Sequence, residues 1–219
     1  GLKNVKFIPI SALQGDNIVE KSKNTPFYQA ETLLEYLENI AVTNDTNLTD
    51  ARFQVQYVIR PMSDDYHDYR GYAGQIQSGI YRVGDAVTVL PSGIASTINR
   101  IEVNLKDVEK AAAGQAAVLH LADDIDISRG DSIAIFDNKP LTTNEIEAKI
   151  CWFDEQQNIR VGQKFLLQNG ANTVKAVVKS IEYKLDVSTL EKSTVTEGGL
   201  NDILKIRLRT AKPLVFDNY

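Results

Sequence analysis

Cysteine is almost missing from this sequence: Cys151 is the single one in 219 residues. No internal disulfide can form, and that usage suits a reducing compartment such as the cytoplasm. Histidine is nearly as scarce, with only His67 and His120, so no zinc-ligand spacing can be written. No run approaches the roughly 18 apolar residues of a membrane helix, and no charged-then-apolar leader opens the chain. Basic charge is short as well. Lys and Arg number 24 against 29 Asp and Glu, for a net charge of −5. Phosphate binding needs clustered cations, so this balance argues against nucleic acid as the main partner.

What remains is the composition of a globular protein, 43% hydrophobic and 24% charged, long enough for one large or two modest cores. Near the start, "KNVKFIPISALQGDNIV" carries an apolar run (Val5, Phe7, Ile8, Ile10) that predicts a buried strand, followed by a Gly/Asp/Asn loop. Thr25 then stands as a candidate N-cap before Pro26. Ala30, Leu33, Leu34, Leu37 and Ile40 recur at helical spacing, with Glu31, Glu35 and Glu38 on the other side. One strand and one helix cannot bury both apolar faces alone, so they belong to a larger α/β layer.

"AVTNDTNLTD" (41–50) reads as a polar linker. From Arg52 the period becomes two: Phe53, Val55, Tyr57 and Ile59 alternate with Arg52, Gln54, Gln56 and Arg60, a half-buried strand with a polar outer side. Strand-like runs follow at 72–77, 86–90, 96–103, 116–121 and 132–136, separated by glycine turns. Many short strands with no helix between them predict a closed barrel. After a second polar segment (137–144), strand signals resume at 145–152, 163–167, 174–184 and 204–209, too few to close a second barrel. The predicted fold class is mainly β: two consecutive β-barrel domains, the second incomplete, behind a strand–loop–helix of an α/β domain. The boundaries are 1–42 for that α/β piece, 43–50 for a linker, 51–138 for the first barrel and 139–219 for the second.

Ser11-Ala12-Leu13, between a strand and a Gly-Asp-Asn loop, has the form of a guanine-contacting loop, although any strand–turn can contain Ser-Ala. The companion elements are missing from the sequence: there is no G-x-x-x-x-G-K-[ST] phosphate loop, and Asn138-Lys139 continues as Pro140-Leu141 rather than toward an Asn-Lys-x-Asp motif. Asp68-Tyr69-Arg70-Gly71 matches D-x-x-G but follows the Ser-Ala-Leu loop instead of preceding it, and reads as coincidence.

Several other features have ordinary readings beside functional ones. Asp123, Asp124, Asp126 and Asp131 read as a solvated acidic turn, with a cation site as the alternative. Arg129-Gly130-Asp131 reads as a turn between strands. "KIRLR" (205–209) puts Lys205, Arg207 and Arg209 on one strand face, either a wet outer surface or a partner surface. Cys151 and Trp152 end a strand, where packing is the simpler role than redox chemistry.

The stretch 70–101, with G-x-I-x-S-G-x-x-x-x-G-D-x-V-x-V and then P-S-G, resembles the second domain of translation-factor-type GTPases of the elongation factor Tu and 1-alpha kind. Within that superfamily, "FIPISALQGDNIVEKSKNTPFY", "DARFQVQYVIRP", "YRGYAGQIQSGIYRVGDAVTVLPSG" and "DDIDISRGD" resemble the large GTP-binding subunits of bacterial sulfate adenylyltransferases. "AKICWFDEQ", the turn at Gly162 and "LDVSTLEKS" resemble the third domain more loosely. The resemblance implies a subunit that couples GTP hydrolysis to the formation of adenosine 5′-phosphosulfate and pyrophosphate by a small catalytic partner subunit. It implies GTP and Mg²⁺ as cofactors of the longer protein, with only Ser11, Ala12 and Leu13 carried over to this chain as nucleotide-site positions. No catalytic residue and no metal ligand carry over, so residues 1–219 alone are expected to be inactive, with a coupling and docking role and no membrane or nucleic-acid partner. The alternative the same stretch leaves open is a pair of elongation-factor domains that hold an aminoacylated RNA.

Overall fold

The computed structural model describes residues 5–40, 46–61 and 69–218. They fall into two compact units, Gly1–Asp45 and Thr46–Tyr219. In the first, the predicted strand does not form: residues 5–10 make no strand pairing among the described residues, and Val5, Phe7 and Ile10 stay exposed. A strand needs a neighbour to take its backbone groups, and among the described residues this unit offers none.

The helix α1 (Leu33–Asn39) also starts later than Thr25 predicts. Thr32 is its N-cap, in a reciprocal capping box with Glu35: the Glu35 amide donates to Thr32 Oγ1 at 3.2 Å and the Thr32 amide to Glu35 Oε2 at 2.8 Å. Thr25 is engaged elsewhere, accepting the Asn17 side-chain amide at 2.8 Å and closing a single turn to Tyr28. Leu34, Leu37 and Ile40 keep the helical spacing but face outward, exposed.

In the second unit the strands of the first half are β1 (Arg52–Gln54), β2 (Tyr57–Ile59), β3 (Gly71–Ser78), β4 (Ile80–Arg82), β5 (Ala86–Leu90), β6 (Ile94–Val103), β7 (Lys106–Asp107), β8 (Lys110–Ala112), β9 (Ala116–Leu121) and β10 (Ser132–Ile135). Strand β1 pairs with both β10 and β3, so six antiparallel strands close in the order β1-β10-β5-β6-β9-β3 and return to β1. This is the barrel expected from the period-two pattern, and closure leaves its six strands without an edge. Phe53, Val55, Ile76, Tyr81, Val87, Ile98, Leu119 and Ile133 fill the interior. Tyr81 keeps its hydroxyl satisfied there by donating to the Ile133 carbonyl, and burial pushes its pKa up.

The second half contains β11 (Leu141–Cys151), β12 (Ile159–Arg160), β13 (Lys164–Asn169), β14 (Asn172–Leu185), β15 (Lys192–Ser193), β16 (Glu197–Gly198) and β17 (Ile203–Phe216). The long strands form an antiparallel sheet in the order β11-β17-β14-β13, with β15 added to β14, and β12 pairs with β16 as a separate ribbon. No pairing among the described residues closes this sheet. Its first strand begins at Leu141, inside the segment whose composition reads as a linker, because Leu141–Thr143 pair with Leu214–Phe216. Ile159 from the ribbon is buried with Val178, Leu204, Ile206 and Leu208 from the sheet, and Trp152 packs edge-on against Phe165 at 5.4 Å. Cys151, expected to pack in a core or at an interface, is exposed and so lies outside the core.

A polar seam joins the barrel to this sheet. The alternation expected over residues 52–60 is not met: residues 51–55 are all buried, Arg52 and Gln54 included, and Tyr57 is exposed. Gln54 Oε1 accepts the Ala171 amide at 2.7 Å, and its Nε2 donates to the carbonyls of Asn169 (3.2 Å) and Gly130 (3.3 Å). Gly170, at φ +58°, makes the approach possible, since a Cβ there would stand 2.0 Å from Gln54 Oε1. Asn172 Nδ2 donates to the Gly130 carbonyl at 2.6 Å. Arg52 forks onto Asp217 with two contacts of 2.8 Å and onto Asn138 with two more.

Gly79 directly follows β3 with φ +75°, and a Cβ added there would lie 2.2 Å from Ala51 Cα, a backbone atom that cannot move without dragging β1. Gly79→Ala is therefore expected to cost about 2 kcal/mol or more in denaturant unfolding. Gly93→Ala, which has a positive φ but open space around it, is expected to cost about 1 kcal/mol. Equal losses would contradict the close approach of Gly79 to Ala51.

Candidate functional site

Ser11, Ala12 and Leu13 come together as one tight loop, closed by a bridge between Ser11 and Asp16. The Gly15 amide donates to the Ser11 carbonyl at 2.8 Å and the Gln14 amide to Ser11 Oγ at 3.3 Å. Leu13 is 96% exposed, and the amides of Ala12 and Leu13 have no acceptor among the described residues. The loop thus presents two free N–H donors beside a bare leucine.

Asn17 fixes this shape, a residue the sequence gives little reason to single out. It is buried at φ +55°, a backbone region that asparagine tolerates better than most. Its Nδ2 donates to the Pro9 carbonyl and to Thr25 Oγ1, both at 2.8 Å, and its Oδ1 accepts the Ser22 amide at 2.8 Å. Its backbone carbonyl accepts the Leu33 amide at 2.9 Å, tying the loop to the first turn of α1. Asp16 braces the same turn by accepting from Ser22 Oγ and from Asn24 Nδ2.

A second constellation lies on the barrel. Glu102 on β6 is buried, and its Oε1 receives the His120 Nε2 contact at 2.8 Å, the Tyr69 hydroxyl at 3.0 Å and Arg100 Nη2 at 3.0 Å. A carboxylate oxygen only accepts, so Nε2 is the protonated nitrogen of the neutral imidazole. Arg100 also binds Asp107 at 2.7 Å, and the Tyr69 ring meets the His120 ring edge-on at 4.9 Å. Burial pushes the pKa of His120 down, and the Glu102 contact only partly opposes it. Beside this cluster runs an open groove of about 500 Å³, lined by Tyr57, Gly74, Glu102, Leu105, Ala117 and Val118 among others. The register of β6 and β9, with Glu102 opposite Val118 and Arg100 opposite His120, brings these residues together. Lone charged residues in alternating strands give no such signal in sequence.

The remaining candidates separate. Asp68 and His67 lie outside the described residues; Tyr69 and Arg70 lead into β3, and Gly71 begins it. Asp123 accepts from Ser96 Oγ at 2.7 Å and Asp124 pairs with Arg70, and no group of residues able to hold a metal occurs among the described residues. Arg129-Gly130-Asp131 forms a turn in which Asp131 Oδ2 accepts the Ser128 amide at 2.8 Å. No helix among the described residues is long and apolar enough to cross a membrane.

Stability is expected to decline as pH falls below about 6.5, because the unfolded chain then protonates its histidine while the buried imidazole of His120 resists. The effect is absent above that pH and grows downward until the folded group also takes its proton. His120→Gln should flatten this decline in urea melts between pH 7 and 5; an unchanged slope would contradict the burial argument.

Known proteins can be set against this geometry. Residues 145–219 match the GTP-eEF1A C-terminal domain-like family. The chain is 42% identical, over its whole length, to 36% of the "Bifunctional enzyme CysN/CysC" of Mycobacterium tuberculosis H37Rv. It is 40% identical, again over its whole length, to 45% of the "Sulfate adenylyltransferase subunit 1" of Bacteroides fragilis, and 42% identical to 45% of that of Shewanella oneidensis. The chain thus spans less than half the length of these relatives. Among solved structures, sup35 complexed with GDP superposes with a TM-score of 0.68 at 20% identity, over 97% of this chain and 52% of that one. Elongation factor SelB from Methanococcus maripaludis gives a TM-score of 0.63 at 20% identity, over 84% of this chain and 40% of that one. These two likenesses establish an elongation-factor-type fold. By sequence, the chain is similar throughout its length to part of the sulfate adenylyltransferase subunit 1 proteins, and residues 145–219 match the GTP-eEF1A C-terminal domain-like family.

Proposed function

We propose that this chain is part of the GTP-binding subunit of a two-subunit sulfate adenylyltransferase, in which GTP hydrolysis drives ATP and sulfate toward adenosine 5′-phosphosulfate and pyrophosphate. The observation that carries the reading is about 40% identity along the whole chain to proteins named as subunit 1 of that enzyme. The name subunit 1 supports a partner, which we take to be the small catalytic subunit, in the cytoplasm.

In this reading residues 1–42 are the end of the GTPase domain, 43–50 a linker, 51–138 the second domain and 139–219 the third. The Ser11–Leu13 loop then forms one wall of a guanine pocket: its two unclaimed amides suit a carbonyl acceptor on a base. GTP and Mg²⁺ need a phosphate loop, and no such motif occurs in this sequence. The exposed Phe7, Leu13, Phe27 and Leu37 of this unit suit packing against the rest of such a domain. What this chain contributes is therefore not bond-making. It shapes a nucleotide wall at one end and offers two rigid β units through which a change of state can be transmitted.

Two measurements test the reading together. The longer protein, co-expressed with the small subunit from the same genome, is expected to form adenosine 5′-phosphosulfate faster when GTP is added. Residues 1–219 alone are expected to bind no GTP in calorimetry up to millimolar nucleotide. Product formation indifferent to GTP, or micromolar GTP binding by residues 1–219, would contradict it.

A further inference from the structure

The outer face of the second sheet is divided electrostatically. In one half the charges neutralise one another: Glu147 on β11 pairs with Lys205 at 3.0 Å and Arg207 at 2.6 Å, and Glu182 on β14 lies 3.6 Å from Arg207. Both Lys205 and Arg207 have their pKa values raised by the hydrogen bond to Glu147. That half is a closed account of charge and needs no outside partner.

The other half is different. Lys164 on β13, Lys175 on β14 and Arg209 on β17 line one shallow groove of about 290 Å³, and none of the three has an ion-pair partner among the described residues. The register places Glu145, Arg209, Val177 and Lys164 in one row across four strands, yet Glu145 forms no ion pair with Arg209. Leu166, directly opposite Lys175, is 71% exposed, and Val177 is half-buried between the cations. Among the described residues strand β13 pairs only with β14, so this groove lies at an open sheet edge. Three cations lining one groove, none of them in an ion pair among the described residues, repel one another, and an outside anion would relieve that repulsion. Cations ringing a small apolar floor are the complement of carboxylates carried on a protein surface.

We propose that the Lys164–Lys175–Arg209 face is the docking surface for an acidic segment of the partner subunit, with Leu166 and Val177 as its apolar centre. This rests on the two-subunit reading above. The apolar floor and the small groove favour a protein over RNA: Leu166 and Val177 gain from burial against side chains, whereas a long polyanion would be repelled by the acidic remainder of the chain.

The test uses the full-length subunit and its small partner, with affinity measured by interferometry at low and moderate salt. The double variant Lys164→Glu/Lys175→Glu is expected to bind roughly tenfold or more weakly at low salt, with less salt dependence than the native protein. Lys106→Glu/Lys110→Glu, with the same charge change on exposed barrel strands β7 and β8, should bind as the native protein does. Leu166→Ala should weaken binding several-fold without altering its salt dependence. Equal losses in the two charge-reversed pairs, or none in either, would overturn the proposal. So would loss of affinity for a single-stranded RNA probe with subunit binding intact. If the reversed pair fails to fold, Lys164→Gln/Lys175→Gln supplies the same comparison with a smaller expected loss. A native protein that does not bind the small subunit at all refutes the two-subunit reading, and this face with it.

Discussion

The side chain of Gln54 sits in the seam between the barrel and the second sheet with both ends of its carboxamide engaged, and the mutual placement of those two halves depends on it. A buried amide left unpaired costs about 1–3 kcal/mol, so each hydrogen bond here penalises separation more than it rewards contact. Gln54 meets Ala171, Asn169 and Gly130 at once, and Gly170 leaves the room for it to do so. Arg52, two residues away along the same strand, adds a two-pronged contact to Asp217 and reaches Asn138. Asn138 in turn donates to Asp50, whose pKa is lowered chiefly by that bond. The seam is thus a continuous chain of polar contacts running from the start of the barrel to the end of the last strand.

Much of the barrel was legible in the sequence because its strands are half-buried and its turns carry glycine. The strands at 86–90 and 116–121 fall where alternation places them. Arg52 and Gln54 were not legible as buried residues. Alternation separates two faces but cannot say that the polar one meets another domain rather than water, and polar side chains buried in a seam look like a wet face. The N-terminal segment misled for the opposite reason. Val5, Phe7, Ile8 and Ile10 have strand composition, but a strand exists only when another takes its backbone groups, and the described residues of that unit provide none. The late start of α1 reflects competition: Thr25 could cap a helix but is held by Asn17, while Thr32 and Glu35 satisfy each other.

The candidate site was legible in the same partial way. Ser11-Ala12-Leu13 could be picked out by its resemblance to a guanine-contacting loop, and the structure adds that its two middle amides are unclaimed. What holds the loop in that state, Asn17 at a positive φ, depends on contacts five to sixteen residues away that no local pattern encodes. The Glu102 cluster is less visible still, because it assembles from β6, β9 and Tyr69, two residues before β3, only after the barrel closes. Local chemistry identifies loops; closure of a barrel creates clusters. In the proposed function, the two β halves transmit a change of state only if they do not hinge.

The amide of Ala171 measures that rigidity directly, since it lies at a hairpin tip and its acceptor belongs to the opposite half. In native-state hydrogen exchange, hairpin tips ordinarily exchange by local fraying, whereas core amides wait for global unfolding. The account predicts that Ala171 exchanges with the same opening free energy as barrel-core amides such as Ile76 and Leu119. Exchange at the rate of a frayed tip, with the barrel core still protected, would contradict the claim that the two halves form one body.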